Sequence, residues 1–208
     1  MYVFTATPSA RPNQRSRWTS IEVDTAGSYG RHNGGMTAEM TWIFGHGSLM
    51  FRPGFAVDAA RWGRVNGLER RYGHPSVRNW GSEHAPAPTA CLVPGDGVDG
   101  LLLGCRPPGG TRVVDLLRRR EAGEPTEVPV RTEDGTVIAL TWPMRPSWAA
   151  LAPADLARRA RENERAGGGP SGTAIDYVLG VAGSLAAGPG VDRTTAAYLA
   201  ALGVELDG

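Results

Sequence analysis

Lysine is missing from all 208 residues, so the 22 basic side chains are all arginines. That absence excludes Schiff-base and pyridoxal-phosphate chemistry, a P-loop NTPase with its phosphate lysine, and a lysine general base. Cysteine is almost as scarce. Cys91 and Cys105 can form at most one bridge, and neither has a CxxC partner or an adjacent His. Both read as small apolar residues in or near strands. No apolar run approaches the ~18 residues needed to span a bilayer, and residues 1–40 contain no signal-peptide core. These features describe a soluble, cytoplasmic protein with reduced thiols and no membrane partner. An excess of one charge is also missing: 22 basic groups face 21 acidic ones, for a net charge of +1. Such a balance does not mark a nucleic-acid binder. His32, His46, His74 and His84 form no i, i+4 pair and have no carboxylate at a ligand interval, so no metal site is expected.

Glycine and proline are plentiful. Gly 29 and Pro 16 make up about a fifth of the chain, nearly double the usual share. The hydrophobic fraction of 41% still allows one domain with a real core. Residues 1–40 carry Pro8, Pro12 and many small polar residues without apolar periodicity. That segment reads as disordered, or as a product of start-site choice at Met36 or Met40. A single domain is expected over residues 41–208.

Thr41 to Gly45 reads as a strand ending in a glycine-rich loop, and Val65 to Tyr72 as a half-exposed strand. Thr89 to Val93 and Leu101 to Cys105 are strand-length apolar runs joined by the turn Pro94-Gly95-Asp96-Gly97. Thr111 to Arg120 has helical spacing, with Thr111 as N-cap and Arg118 to Arg120 facing the negative end of the dipole. Glu127 to Arg131 and Thr136 to Trp142 form a hairpin across Glu133-Asp134-Gly135. Helices are expected over Pro153 to Ala166 and Ile175 to Ala187, and a third starts at a capping Asp192 and ends near Gly203. Strands first, one interrupting helix, then a helical tail point to an α+β fold with a small mixed or barrel-like sheet.

Three places hold candidate chemistry. The loop Gly45-His46-Gly47-Ser48-Leu49 has the glycines and successive N–H groups that suit a carboxylate or an oxyanion. It matches neither GxGxxG nor GxSxG, and taken alone it also fits an ordinary turn. Glu121 ends the arginine-rich helix. The helix dipole raises its pKa toward the range of a general base, while the neighbouring arginines lower it. A solvated surface Glu fits the same pattern. Gly167 to Gly172 is either a segment that folds over a site or a plain helix–helix linker.

Three ordered blocks carry a resemblance. WIFGHGSLMFRPG (Trp42 to Gly54) is similar to a YGSLMWxPGF region, LLRRREAG (Leu116 to Gly123) to an LxxRE block, and GGPSGTAIDYV (Gly168 to Val178) to a GxSGxNxxYL stretch. Arg70-Arg71-Tyr72 through Ser76 resembles RRFxxxS. Over roughly residues 42–202 the chain resembles the ChaC-like gamma-glutamylcyclotransferase family. The resemblance implies a small closed mixed β-barrel with flanking helices, no cofactor, and a small γ-glutamyl substrate. It carries no implication for oligomeric state. It also implies catalysis by Glu121, with Gly45, His46, Gly47, Ser48, Leu49, Ser76 and Tyr177 against the substrate. With no Lys in the chain, any side-chain cation on a substrate carboxylate must be an Arg or a protonated His, and Arg78, just past Ser76, is the first candidate. The chain departs from the family at His46 (Tyr), Phe51 (Trp), Val77 to Gly81 (TDHRG) and Thr173 or Ala174 (Asn). These departures bear on the leaving group, which the resemblance leaves open among peptide, amino-acid and amine remainders. His46 either donates to a substrate carboxylate or fills the space of the Tyr. A non-catalytic metabolite sensor on the same barrel is the second reading.

Overall fold

The computed structural model describes residues 2–6, 18–22, 40–121 and 123–205. Most of the segment 1–40, assigned above to a disordered tail, lies outside the described residues. Within it, β1 (Tyr2–Ala6) and β2 (Trp18–Glu22) pair as an antiparallel ladder.

Five strands close into a barrel in the order β3-β7-β4-β8-β9. These are β3 (Thr41–Gly45), β4 (Ala59–Val65), β7 (Val98–Cys105), β8 (Thr126–Thr132) and β9 (Gly135–Thr141). All pairings are antiparallel except β3 with β9, which closes the barrel through Ile43 opposite Leu140. The barrel is therefore mixed, as expected. Phe44, Val65, Leu102, Val128, Val130 and Ala139 form one buried cluster with Leu92 and Val98. Their alternation with residues that face outward is the period of two that sets the inner face of a strand.

The run read as one strand over Val65 to Tyr72 is two. Asn66-Gly67, with Gly67 at φ 79°, turns the chain between β4 and β5 (Leu68–Ser76). Asn-Gly is a strong turn signal, since both residues tolerate positive φ. Thr89 to Val93 and Leu101 to Cys105 also do not pair with each other. The first belongs to β6 (Ala87–Pro94), which pairs with β5 in a separate two-stranded sheet. The second belongs to β7, the central barrel strand between β3 and β4. The β5–β6 pair lies against the helices and gives Tyr72, Ala87 and Ala90 to the second and larger core.

Helix α1 (Gly109–Arg120) starts two residues before the expected Thr111, with Pro108 at the cap and no side-chain cap bond. Gly110 explains the earlier start, because a Cβ there would lie 2.2 Å from Thr41 Oγ1. Close approach to β3, rather than capping, seats this helix end. The tail is α2 (Pro153–Arg165), α3 (Ala174–Ala186) and α4 (Arg193–Leu202). Thr173 and Asp176 form a reciprocal capping box on α3, and Asp192 caps α4 by accepting from Thr195 N at 2.8 Å. Gly203 ends α4 in the left-handed conformation at φ 66°.

Arg70 on β5 joins these parts, although its side chain is only 1% exposed. Its Nε donates to His46 O at 2.7 Å, one terminal nitrogen donates to Asp99 O at 2.6 Å, and the other pairs with Asp192. Two residues on, Tyr72 OH bonds Thr195 Oγ1 at 2.9 Å. One face of β5 therefore holds the first turn of α4, β7 and the loop after β3 together. Arg70→Ala leaves a carboxylate and two buried carbonyls without their donor. It should lower unfolding free energy by about 2–5 kcal/mol in urea titration, with Arg70→Lys recovering less than half because an ammonium lacks the fork.

Candidate active site

The loop after β3 continues directly into a single 3-10 turn, Ser48–Met50, whose Leu49 and Met50 are buried. Gly47 lies at φ −139°, outside the left-handed region. Its reason for being glycine is space: a Cβ would stand 2.4 Å from the Tyr177 hydroxyl oxygen. Tyr177, on the second turn of α3, reaches back to the loop and accepts a hydrogen bond from Ala90 N at 3.0 Å. Its ring meets Trp80 edge-on at 5.1 Å and Phe51 at 6.1 Å. Burial raises the Tyr177 pKa well above that of a free phenol, so the hydroxyl stays protonated.

Glu121 is the C-cap of α1. Its side chain is 14% exposed, and Oε1 lies 3.1 Å from Arg120 Nε. The N–H is not aimed at that oxygen, which is buried without a hydrogen-bond partner among the described residues. Burial raises the Glu121 pKa and the Arg120 charge lowers it. Desolvation thus joins the helix dipole as a reason for a raised value. The arginine triplet does not act as a uniform solvated cap either. Arg118 pairs with Glu124 and Asp115 at the surface. Arg120 turns inward, donating to Ser48 Oγ at 2.9 Å, Pro53 O at 2.7 Å and Arg52 O at 3.1 Å. It thereby fixes the glycine-rich loop to the helix end that carries Glu121. Nothing in local composition marked Arg120, because its partners are about 70 residues away.

Ser48, Ser76, Arg78, Glu121 and Tyr177 all line one open cleft of about 560 Å³. A second, small cavity is lined by His46, Gly47, Ser48, Leu49, Glu121 and Tyr177 among others. Glu121 and Tyr177 border both, so the carboxylate stands where the two meet. Gly45 lines neither cavity and closes β3 against β7. Ser76 Oγ accepts from Trp80 N at 3.3 Å, which shapes the loop bearing Arg78. His46 is buried and lies 3.4 Å by Nδ1 from Thr141 Oγ1. Burial first, and then Arg70, depress its pKa to about 3, so the imidazole is neutral.

The glycine run between α2 and α3 is pinned. Gly168 N donates to Asn163 O at 2.9 Å and Ser171 N to Asn79 O at 2.8 Å, while a Cβ on Gly169 would fall 2.6 Å from Asn79 O. Asn163, fully buried, donates to Trp80 O and Ala85 O and accepts from Ala174 N. Its position within the amphipathic α2 gave no sign of this role. Among the described residues no group of three or more His, Cys, Asp or Glu could hold a metal, and no helix is long and apolar enough to cross a membrane.

The fold has solved counterparts. A yeast gamma-glutamyl cyclotransferase specific to glutathione superposes with a TM-score of 0.67 at 17% identity, over 79% of this chain and 96% of that one. At that identity the likeness is one of fold. The family model described as ChaC-like protein matches residues 41–202, and the chain belongs to that family. Human glutathione-specific gamma-glutamylcyclotransferase 1 is 35% identical over 85 residues, 41% of this chain and 36% of that protein. The rat protein of the same name is 30% identical over 127 residues, 55% of this chain and 57% of that protein. The chain thus matches between about a third and just over half of the length of these relatives.

Two outcomes follow from the geometry. Gly47→Ala should cost about 1–3 kcal/mol by overpacking. In a Tyr177→Phe background the cost should shrink, because the atom nearest the new methyl is gone; a double-mutant cycle on melting curves reads the coupling. His46 binds its proton more weakly folded than unfolded, so stability falls as pH drops from about 6.5 toward about 3. This contributes at most about 1.4 kcal/mol per pH unit, and His46→Gln should flatten that part of a pH–melting profile.

Proposed function

We propose that the protein is a gamma-glutamylcyclotransferase acting on glutathione or a related γ-glutamyl compound, that residues 41–208 carry this activity as one domain, and that it works in the cytoplasm. The observation that carries the reading is Glu121, a buried carboxylate with raised pKa in the same cleft as the Gly47-Ser48 loop and Tyr177. The human and rat glutathione-specific relatives support the same reading. Cys91 and Cys105, both free and buried with thiol pKa values pushed up to about 11, suit a reducing compartment.

In this reading the loop 45–49 and Tyr177 receive the glutamyl group in a folded conformation. The α-amine attacks the γ-carbonyl carbon of its own residue. Glu121 takes the proton that the amine sheds as the new N–C bond forms, and returns it to the departing nitrogen as the old amide bond breaks. The products are 5-oxoproline and the freed amine, and no water is consumed. A tethered nucleophile gains most from orientation, so a wall of fixed groups and one proton carrier suffice. Peptide N–H groups of the loop are the natural donors to the developing oxyanion. Arg120 keeps loop and carboxylate in register and holds the Glu121 pKa from rising further.

Glu121→Gln should lower kcat for 5-oxoproline release by about 10²–10⁴-fold, the usual worth of a general acid–base, with a smaller change in KM. Equal turnover by the variant would remove Glu121 from this role. Binding of γ-glutamyl compounds without any turnover by the wild type would instead favour a sensor on the same barrel.

A further inference from the structure

His46 is the loop side chain to which the cyclisation scheme gives no task. It stands where the family has Tyr, so likeness to the family says nothing of its ring. The structure fixes the ring's tautomer through one neighbour. Thr141 Oγ1, at the end of β9, donates its single proton to Phe44 O at 3.0 Å. A hydroxyl that has given its proton away can only accept. The 3.4 Å contact with His46 Nδ1 therefore runs from the ring, and Nδ1 is assigned the hydrogen. Burial and the neighbouring Arg70 depress the pKa to about 3, so the ring is neutral. In a neutral imidazole with Nδ1–H, the other nitrogen, Nε2, is an acceptor.

Among the described residues Nε2 meets no donor, yet, unlike the Tyr198 hydroxyl, it is not enclosed by protein. It opens on the small cavity that His46 shares with Glu121 and Tyr177. That cavity measures about 30 Å³, room for one group the size of a water molecule. An amine nitrogen fits it, and a carboxylate or a carbon chain does not. No arginine lines it. Arg70 is spent elsewhere, on His46 O, Asp99 O and Asp192. Two acceptors, Nε2 and the Glu121 carboxylate, thus border one space of single-group size, and an amine brings a donor to each. The backbone under the ring is fixed as well, since His46 O accepts from Arg70 Nε at 2.7 Å and Gly45 pairs with Leu101. A group held in place before the ligand arrives loses little freedom on binding.

We propose that His46 Nε2 accepts a hydrogen bond from the α-amine of the γ-glutamyl group and turns that nitrogen's lone pair toward the γ-carbonyl carbon. The proposal rests on the cyclotransferase reading, in which Glu121 exchanges the proton. With one N–H on Nε2 and the departing proton aimed at Glu121, the amine keeps few orientations, which is what a tethered nucleophile needs. As the N–C bond forms, that proton passes to Glu121, and His46 gains and loses none. The contact acts on the nucleophile and leaves the departing portion untouched.

The test measures calorimetric Kd for glutathione and for glutaryl-cysteinylglycine, which has hydrogen in place of the α-amine, in a Glu121→Gln background that holds turnover down. His46→Asn keeps a donor for Thr141 and removes the acceptor, whereas His46→Gln sets a side-chain oxygen near the place of Nε2. Asn should cut the preference for the amine by about 3–10-fold, the worth of one hydrogen bond, and Gln should keep most of it. An equal loss of affinity for both ligands, no change with Asn, or no binding of either ligand overturns the contact. Nitrogen NMR of histidine-labelled wild type reads the same point without any variant. A His46 signal from Nδ1–H with a bare Nε2 upholds the proposal, and Nε2–H overturns it. Wild type that releases no 5-oxoproline from any γ-glutamyl compound sinks the cyclotransferase reading by itself, and the Kd ratio then still decides the amine contact.

Discussion

The structure depends on one buried cation. Arg70 sits on a strand outside the barrel, yet its three nitrogens reach a barrel strand, the loop after another, and the cap of the last helix. Burying an arginine is costly unless each donor finds an acceptor. Here the acceptors lie up to 122 residues from Arg70 along the chain. The requirement therefore fixes the barrel relative to the helical tail, because the charge is satisfied only when all three are present. Its bond to His46 O also sets the backbone at the entrance of the glycine-rich loop. The same charge, together with burial, keeps the His46 ring neutral. A single electrostatic constraint thus reaches both the fold and the inner wall of the cleft.

Local chemistry in the chain made much of the fold legible. Glu133-Asp134-Gly135 announced the β8–β9 hairpin, and Asp192 and Gly203 bracketed α4 in their expected places. The strand pairings were not legible. Pro94 to Gly97 links two apolar runs that look like a hairpin, but β6 and β7 belong to different sheets. A turn shows that the chain reverses without showing which strands then bond. Asn66-Gly67 was the opposite case, a readable turn overlooked inside a polar run that alternates weakly.

The site divides along the same line. The residues alone offered Glu121 and the Gly47-Ser48 loop as candidates beside ordinary readings, and family likeness chose between the two. By composition alone a Glu beside three arginines is indistinguishable from a solvated one. What makes it different is burial against residues about 70 positions earlier and about 55 later. The roles of Arg120, Asn163 and Arg70 were not legible for the same reason, since each acts through backbone groups of distant segments. Arg70 had one local clue: it is two residues from Tyr72, and alternation puts both on the buried face of β5.

The Gly47–Tyr177 contact changes what a motif glycine means. Glycines in loops are commonly taken as records of backbone freedom, and Gly47 at φ −139° records nothing of that kind. Its missing side chain is the imprint of a hydroxyl donated by a helix 130 residues later. The two positions are therefore one character written twice. A methyl at the glycine and a hydroxyl on the tyrosine compete for the same space, so each position sets the cost of substitution at the other.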